Sequence, residues 1–540
     1  MMTFSWYNIL WNLPVLRKRV DIIKMVRGIY LMNEIRKRII SIAVMLSMLS
    51  LTAVGAISCG KAVDDRHERT DDTTNDTEST AASEPEETGR AAAKDSLPAD
   101  LDLGGETIRI VSRNGDTDTA IEFYSDEATG DIVSDAVYNR NMKVSDRLGV
   151  NLEFIYQSDV TRHSGFGDKI RQSVMADSDD YDIIANALYN TVPLIFDGLF
   201  LDLNAMKYLD FDQPWWNQSF LDITENNGRN YLAIGELSQT MISGSFAMFY
   251  NRHLFDELYP DEPTLYATVD AGKWTLDQMI TYCSGVYNDL NGNSTPDEGD
   301  RFGHYFTGAK TLGSDSFLGG SGIHLVEENG DGSFTFGGTS DRAALYIEKM
   351  HKLLFEDNNT LRLEYNNEDI MKTMIADQTI FTTWMLTGTN YLRDMKSDYG
   401  IIPMPKLDEN QSEYSVFCHD GSSVFALPST CRKADAASAV LEAMAVETYR
   451  TVTPAYFEIA LKTKYSRDDD TSRMLDIIVG SVKFDLAYIY GQELGTPIDR
   501  VRGILSSETE CQKGFSTLAS IETATLTKME KVMEKFDKLN

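Results

Sequence analysis

Cysteine, histidine and basic side chains are all scarce in this chain. Its 540 residues hold five cysteines and seven histidines, and 50 Lys and Arg stand against 83 Asp and Glu. Cys283, Cys418, Cys431 and Cys511 form no CxxC pair and no regular spacing, which argues against a zinc site. They read as isolated buried thiols, with a Cys418–Cys431 disulfide as the alternative in an oxidising compartment. His163, His253, His304, His324 and His351 are scattered without ligand spacing and read as surface or satisfied core residues. No HExxH, GxSxG, GxxxxGKS or GxxxxGKT occurs, and the segment at Lys310 and Thr311 lacks the glycine before the lysine. The metalloprotease, hydrolase-elbow and phosphate-loop readings therefore fall away. A net charge of -33 argues against nucleic acid or an anionic membrane surface as partner. With 83 acidic residues a carboxylate pair suited to glycoside hydrolysis can always be picked out, so composition gives that chemistry no weight.

What is present begins with an apolar run. Arg36, Lys37 and Arg38 precede it, it starts at Ile39, and it closes on Gly55, Ala56, Ile57 and Ser58 just before Cys59. A basic cluster, an apolar stretch and small residues at its end are the parts of a secretion signal. The stretch resembles the lipobox of bacterial lipoproteins, although Ala56 stands where that motif prefers leucine. The resemblance implies cleavage before Cys59, lipid on that cysteine, and a mature protein on the extracytoplasmic face of the cell membrane. A single acyl chain anchors only marginally, so the multiple chains of a lipoprotein matter. A plain transmembrane anchor is the alternative, since the run approaches spanning length. Arg17, Lys18 and Arg19 lie ahead of a signal that is complete from Met32. Translation is therefore expected to start at Met32 or Met25, with a long native leader as the alternative.

From Lys61 to about Leu101 the chain is rich in Asp, Glu, Thr and Ser and has no apolar periodicity. Residues 59–101 are thus expected to form a disordered acidic tether. The remainder, about 435 residues, exceeds one hydrophobic core and suits two lobes or two to three domains. It opens with the strand pattern of GGETIRIVSR, followed by a helix in which Ile132, Ala136, Val137, Val144 and Leu148 recur at helical spacing. VNLEFIY, the helix DKIRQSVMAD and the strand YDIIANA follow. Strand, helix and strand in alternation predict a parallel sheet in an α/β domain. Ligands of open α/β sheets bind beyond the carboxyl ends of the strands, and Asn114, Asp116, Asn186 and Tyr189 stand at such ends.

The sharpest local pattern follows the helix TLDQMITYCSGVYN. Asp289, Asn291, Asn293, Thr295, Asp297 and Asp300 place side-chain or main-chain oxygens at loop positions 1, 3, 5, 7, 9 and 12, the arrangement a hard calcium ion takes. Ser294 replaces the turning glycine of an EF-hand, and Asp300 replaces its bidentate glutamate. A structural calcium is expected here, with an ordinary polar turn as the alternative. No organic cofactor is expected.

The order of the segments carries a wider resemblance. LPADLDLGGETIRIVSR, GDIVSDAVYNRNMKVSDRLGV, IGELSQTMISGSFAMFYNRHLFDE, GKWTLDQMI, NDLNGNSTPDEGDRFGH, FTTWM with YGIIPMPKLDENQ, and HDGSSVFALPST together resemble the bacterial extracellular solute-binding proteins of ABC importers, family 1. The resemblance covers nearly all of residues 59–540. It implies an α/β, periplasmic-binding-protein-like (type II) fold: two lobes, a hinge and a ligand cleft between them. Residues 102–238 with about 425–490 would form one lobe, and 239–424 with about 491–540 the other. The chain would cross the hinge near Gly235 to Ser245 and again near His419 to Phe425. The implied function is to capture a mono- or oligosaccharide by lobe closure and deliver it to the membrane subunits of an ABC permease, as a monomer without catalysis. A secreted glycoside hydrolase and a surface adhesin are the alternatives.

Sugars present CH faces to aromatic rings and hydroxyls to polar groups, so such a cleft needs both. Trp215, Trp216 and Trp384 are the candidate stacking residues, and Tyr124, Tyr189 and Tyr250 lie near strand ends or the hinge. Trp274 precedes an amphipathic helix and reads as core. His419 and Asp420, at the second crossing, would face the cleft in such a fold; a simple connecting turn is the alternative. The lipid reading has a direct test. Cys59→Ala should release the protein into the medium or leave it unprocessed in the membrane, as followed by fractionation and intact mass; an unchanged distribution and mass would refute it.

Overall fold

The computed structural model describes residues 89–539 apart from 114–121, 126, 158–164, 308–311, 364–370 and 463–468. The lipobox, Cys59 and most of the acidic tether lie outside the described residues, as do Asn114 and Asp116. Residues 89–101, expected to be disordered, are instead held on the folded body. Asp95 pairs with Arg147, and Leu97 is buried. Burial of one leucine and charge pairing offset the ordering cost that composition alone left uncompensated.

The first sheet arises as the alternating pattern predicts. β1 (Thr107–Arg113) buries Ile108, Ile110 and Val111, and it pairs in parallel with β2 (Asn151–Gln157) and β3 (Ile183–Ala187). The helix between β1 and β2, Ile132–Leu148, starts where the Asp131 side chain accepts from the Ser134 amide and stops at Gly149, whose φ of 60° suits glycine. Val137, Arg140, Asn141, Val144 and Leu148 form its buried stripe.

β4 (Phe246–Asn251), β5 (Phe302–Thr307), β6 (Val326–Glu328), β7 (Phe334–Phe336), β8 (Thr360–Leu363), β9 (Thr379–Met385), β10 (Tyr399–Ile402) and β11 (Ser423–Ala426) complete the strands. The first lobe's sheet has the order β11-β3-β1-β2, and the second lobe's has β10-β4-β9-β5-β8. β6 and β7 form a separate hairpin-like pair. The segment IGELSQTMISGSFAMFYN holds a short helix, Gln239–Ser243, before β4. Ser238 caps that helix by accepting from the Met241 amide, a local bond that competes with extended pairing.

The lobes are joined by chain segments lying side by side. Phe246 N donates to Phe417 O, His419 N to Gly244 O, Val416 N to Ser481 O and Lys483 N to Val416 O. Residues 244–246, 416–419 and 481–483 thus form three adjacent crossings. The last was not foreseen in the sequence. The C-terminal helices also depart from the expected lobe boundaries. Helix Asp469–Gly480 rides on the second sheet's β10, where Arg473 pairs with Asp270 through two hydrogen bonds of 3.0 and 2.7 Å. Helix Glu522–Asp537 sends Phe536 against Phe196 and Tyr231 of the first lobe. Apolar faces on both lobes remain to be covered after the sheets form, and these helices cover them. Among the described residues no helix is long and apolar enough to cross a membrane. Cys283, Cys418 and Cys511 are buried, Cys431 is half-buried, and all four are free thiols.

The first sheet's outer face packs on an alanine-rich helix, Ala434–Glu447, whose small side chains let it lie close to the strands. Glu442 is fully buried in that layer. Its carboxylate accepts from Trp215 Nε1 and Trp216 Nε1, both at 3.0 Å, and burial pushes its pKa up to about 7 against those bonds. A folded-state pKa above the unfolded value means that the native protein holds a proton the unfolded chain has released. The resulting stability is complete below the ordinary glutamate pKa and is lost as pH rises through about 7. Over that window the contribution is on the order of 3 kcal/mol. Urea melts at several pH values should show this fall between about pH 4.5 and pH 7, and Glu442→Gln should flatten it; an unchanged pH profile would count against the assignment.

Candidate interlobe binding site

The carboxyl ends of the parallel strands in both lobes meet at the crossings. Leu188, just past β3, donates to Ser422 O at 2.9 Å, and Leu386, just past β9, donates to Ser245 O at 3.0 Å. β1 and β2 run parallel with β3, and β5 and β8 run parallel with β9, so their carboxyl ends lie on the same sides. The connections leaving β1, β2, β5 and β8 are 114–121, 158–164, 308–311 and 364–370, which lie outside the described residues. Two edges of the kind that bind ligands in α/β sheets are thus set against one pivot.

At the pivot stands a buried polar post that the sequence did not reveal. Glu122 accepts from Thr240 N at 3.1 Å, Thr240 Oγ1 at 2.9 Å and Ser423 Oγ at 2.7 Å. It therefore ties the first crossing to the strand that follows the second. Burial raises its pKa, and the hydroxyl and amide donors oppose the rise. The buried Arg140 guanidinium fixes the same segment by donating to Glu122 O at 3.3 Å and Phe123 O at 3.0 Å. Burial pulls the Arg140 pKa down to about 10. Tyr124 follows directly. Its ring, 38% exposed, lies 5.1 Å from Phe154 and 6.2 Å from Tyr156 near the carboxyl end of β2.

Several residues singled out in the sequence come together at the second crossing. Tyr189 N donates to Asp420 O at 3.3 Å, Asp420 N donates to Tyr488 Oη at 3.1 Å, and His419 Nδ1 accepts from Gly421 N at 2.9 Å. His419, Asp420 and Tyr189 are half-buried. Asn186 is buried; its Nδ2 donates to Thr191 Oγ1 at 3.2 Å, while its Oδ1 has no hydrogen-bond partner among the described residues. Behind Tyr488, Arg502 grips the buried Asp315 with bonds of 2.9 and 2.6 Å, and burial pushes the Asp315 pKa up to about 6 against that pairing.

The tryptophans are placed differently. Trp384, a candidate stacking residue, lies on β9 opposite Ala247 and is 2% exposed, so its ring is part of the core. Strand pairing continues through Met385. Trp215 and Trp216 are buried against Glu442, away from Tyr189 and Asp420, and they border a separate cavity of about 500 Å³. Trp274 is fully buried, as read, with Nε1 donating to Pro403 O at 2.9 Å. Tyr250 is buried in β4.

The loop from Asp289 to Asp300 closes on its own amides. Asp289 accepts from Gly292 N and Ser294 N, Asp297 accepts from Asn291 Nδ2, Asn293 Nδ2 and Gly299 N, and the buried Asp300 accepts from Leu290 N and Asp297 N. Ser294, at the turning position, takes a φ of 59°. Among the described residues no three acidic, histidine or cysteine side chains converge as a metal cluster.

No family model and no curated protein sequence matches the chain. Solved structures do. A cyclo/maltodextrin-binding protein in complex with maltotetraose is similar over 78% of this chain and 97% of its own, with a TM-score of 0.52 at 12% identity. The galacto-N-biose/lacto-N-biose I-binding protein of an ABC transporter from Bifidobacterium longum, in complex with lacto-N-biose, is similar over 80% of this chain and 98% of its own, with a TM-score of 0.51 at 12% identity. The likeness establishes the fold: two α/β lobes of the periplasmic-binding-protein-like kind.

Proposed function

We propose that this protein is an extracytoplasmic, lipid-tethered receptor that captures a carbohydrate between its lobes and delivers it to the membrane subunits of an ABC permease. The observation that carries this reading is the meeting of both sheets' carboxyl edges at one set of crossings, where Leu188 and Leu386 hydrogen-bond to the crossing segments. Closure about such a pivot buries a small solute and desolvates its hydrogen bonds. The likenesses support a sugar, since the proteins of this fold described above hold maltotetraose and lacto-N-biose. The Tyr124 ring beside Phe154 and Tyr156 supports it too, as an exposed aromatic face of the kind sugars stack on. Half-buried His419 and Asp420 supply polar groups at the pivot.

A thermal-shift series with maltotetraose, maltotriose and lacto-N-biose, beside peptides and polyamines, tests the reading. Saturating sugar, at about a hundredfold over Kd, should add roughly 2.7 kcal/mol to stability and raise Tm. Turnover of a chromogenic glycoside would favour the hydrolase alternative, and a shift with peptides or polyamines alone would overturn the sugar assignment.

The Asp289–Asp300 loop is proposed to take a structural calcium. Its donors are all oxygens, and a Cβ on Gly299 would run into Asn291 Nδ2 and Asp297 Oδ1, so the chain there is drawn tightly around the carboxylate. Ser294 also adopts the left-handed turn that an EF-hand loop requires at that position. Calcium would replace the amides now bonded to Asp289, Asp297 and Asp300. Chelator should lower Tm in wild type and leave Asp289→Ala unchanged; equal melting of wild type with and without chelator would leave only a turn.

A further inference from the structure

The cavity of about 500 Å³ that borders Trp215 and Trp216 is lined by none of Tyr124, Tyr189, His419 and Asp420. One wall is Glu236, two residues before the Ser238 cap of the crossing helix, and 6% exposed. Another is Tyr449, at the end of the helix that covers the first sheet. Asp476 and Lys483 come from the helix riding on the second sheet and from the third crossing. Arg90, at the end of the acidic tether, lines this space too. Its Nη1 donates to Glu236 Oε2 at 2.6 Å, its guanidinium carbon sits 4.2 Å from the Tyr449 ring centre, and Nη2 is 4.0 Å from Asp476. Arg450 holds the next turn through Nε to Ala91 O at 3.1 Å.

A buried carboxylate beneath an aromatic face is matched to a planar cation, which hydrogen-bonds to the one and stacks on the other. The acidic, aperiodic composition of this stretch gives no reason for residues 89–92 to be ordered. Here they are ordered, and the contact that orders them reaches the root of the first crossing and the helix that leads into the third. We propose that Glu236 and Tyr449 in the wall of this cavity form a guanidinium site that the chain occupies with its own Arg90, strapping the tether end across the hinge between the two lobes.

Chemical rescue tests the site without any sugar, so its outcome is independent of the transport reading. Arg90→Ala should lower Tm by several degrees, and millimolar ethylguanidinium should recover much of the loss while leaving wild type unchanged. The double variant Arg90→Ala with Glu236→Gln should not be rescued. Arg90→Lys, which keeps the charge but loses the fork and the flat face, should fall between wild type and Arg90→Ala. In sugar-free X-ray scattering Arg90→Ala should have a larger radius of gyration, as the lobes open further. A wild-type Tm for Arg90→Ala or Arg90→Lys, or equal rescue of the double variant, would overturn the guanidinium site. Unchanged scattering alongside a lowered Tm would overturn the strap.

Discussion

The structure depends on a ladder of main-chain hydrogen bonds where the chain passes three times between the lobes. Phe246 to Phe417, His419 to Gly244, and the pair of bonds that Val416 makes with Ser481 and Lys483 set three extended segments side by side. Backbone groups buried at a junction must be paired or they cost more than the fold can spare. Pairing them with one another gives a thin connection in which few dihedrals control the relation of two large bodies. Gly244 is part of that economy: a Cβ there would sit 2.5 Å from Thr240 O, against the crossing helix.

Buried polar groups reinforce the same junction. Glu122 faces Thr240 and Ser423, Asp315 faces Arg502, and Tyr488 meets the Asp420 amide. Burial raises the pKa of both carboxyls, and their partners oppose the rise. Such satisfied networks specify a geometry more than they add net stability. Elsewhere in the first lobe Arg109 and Lys433 converge on the buried Asp182. Among the described residues, buried Glu122, Asp182, Asp315 and Glu442 each accept hydrogen bonds from neighbouring donors.

Much of the first sheet was legible. Alternating strands and helices, with Ile108, Ile110 and Val111 inside and Gly149 ending the first helix, follow from periodicity and from what glycine permits. The candidate site was legible only in part. Tyr189, His419 and Asp420 meet because β3 ends where the second crossing passes, and the fold-level resemblance indicated that ending. Trp384 could not be placed by its neighbours in sequence, because the polar residues after it do not say where strand pairing stops. Trp215 and Trp216 looked like loop aromatics until their indole N–H groups found Glu442, which lies 227 and 226 residues away in sequence.

By itself the sequence determined the α/β alternation of the first sheet and the burial of Ile108, Ile110 and Val111 within it. Each of these rests on a residue and its near neighbours along the chain. Tertiary structure alone decided which carboxylates are buried, that a third crossing completes the pivot, and that Arg90 leaves the tether for Glu236 and Tyr449. Those outcomes depend on contacts between segments far apart in the sequence. Burial and partner choice there are set by shape and desolvation, to which local pattern is blind.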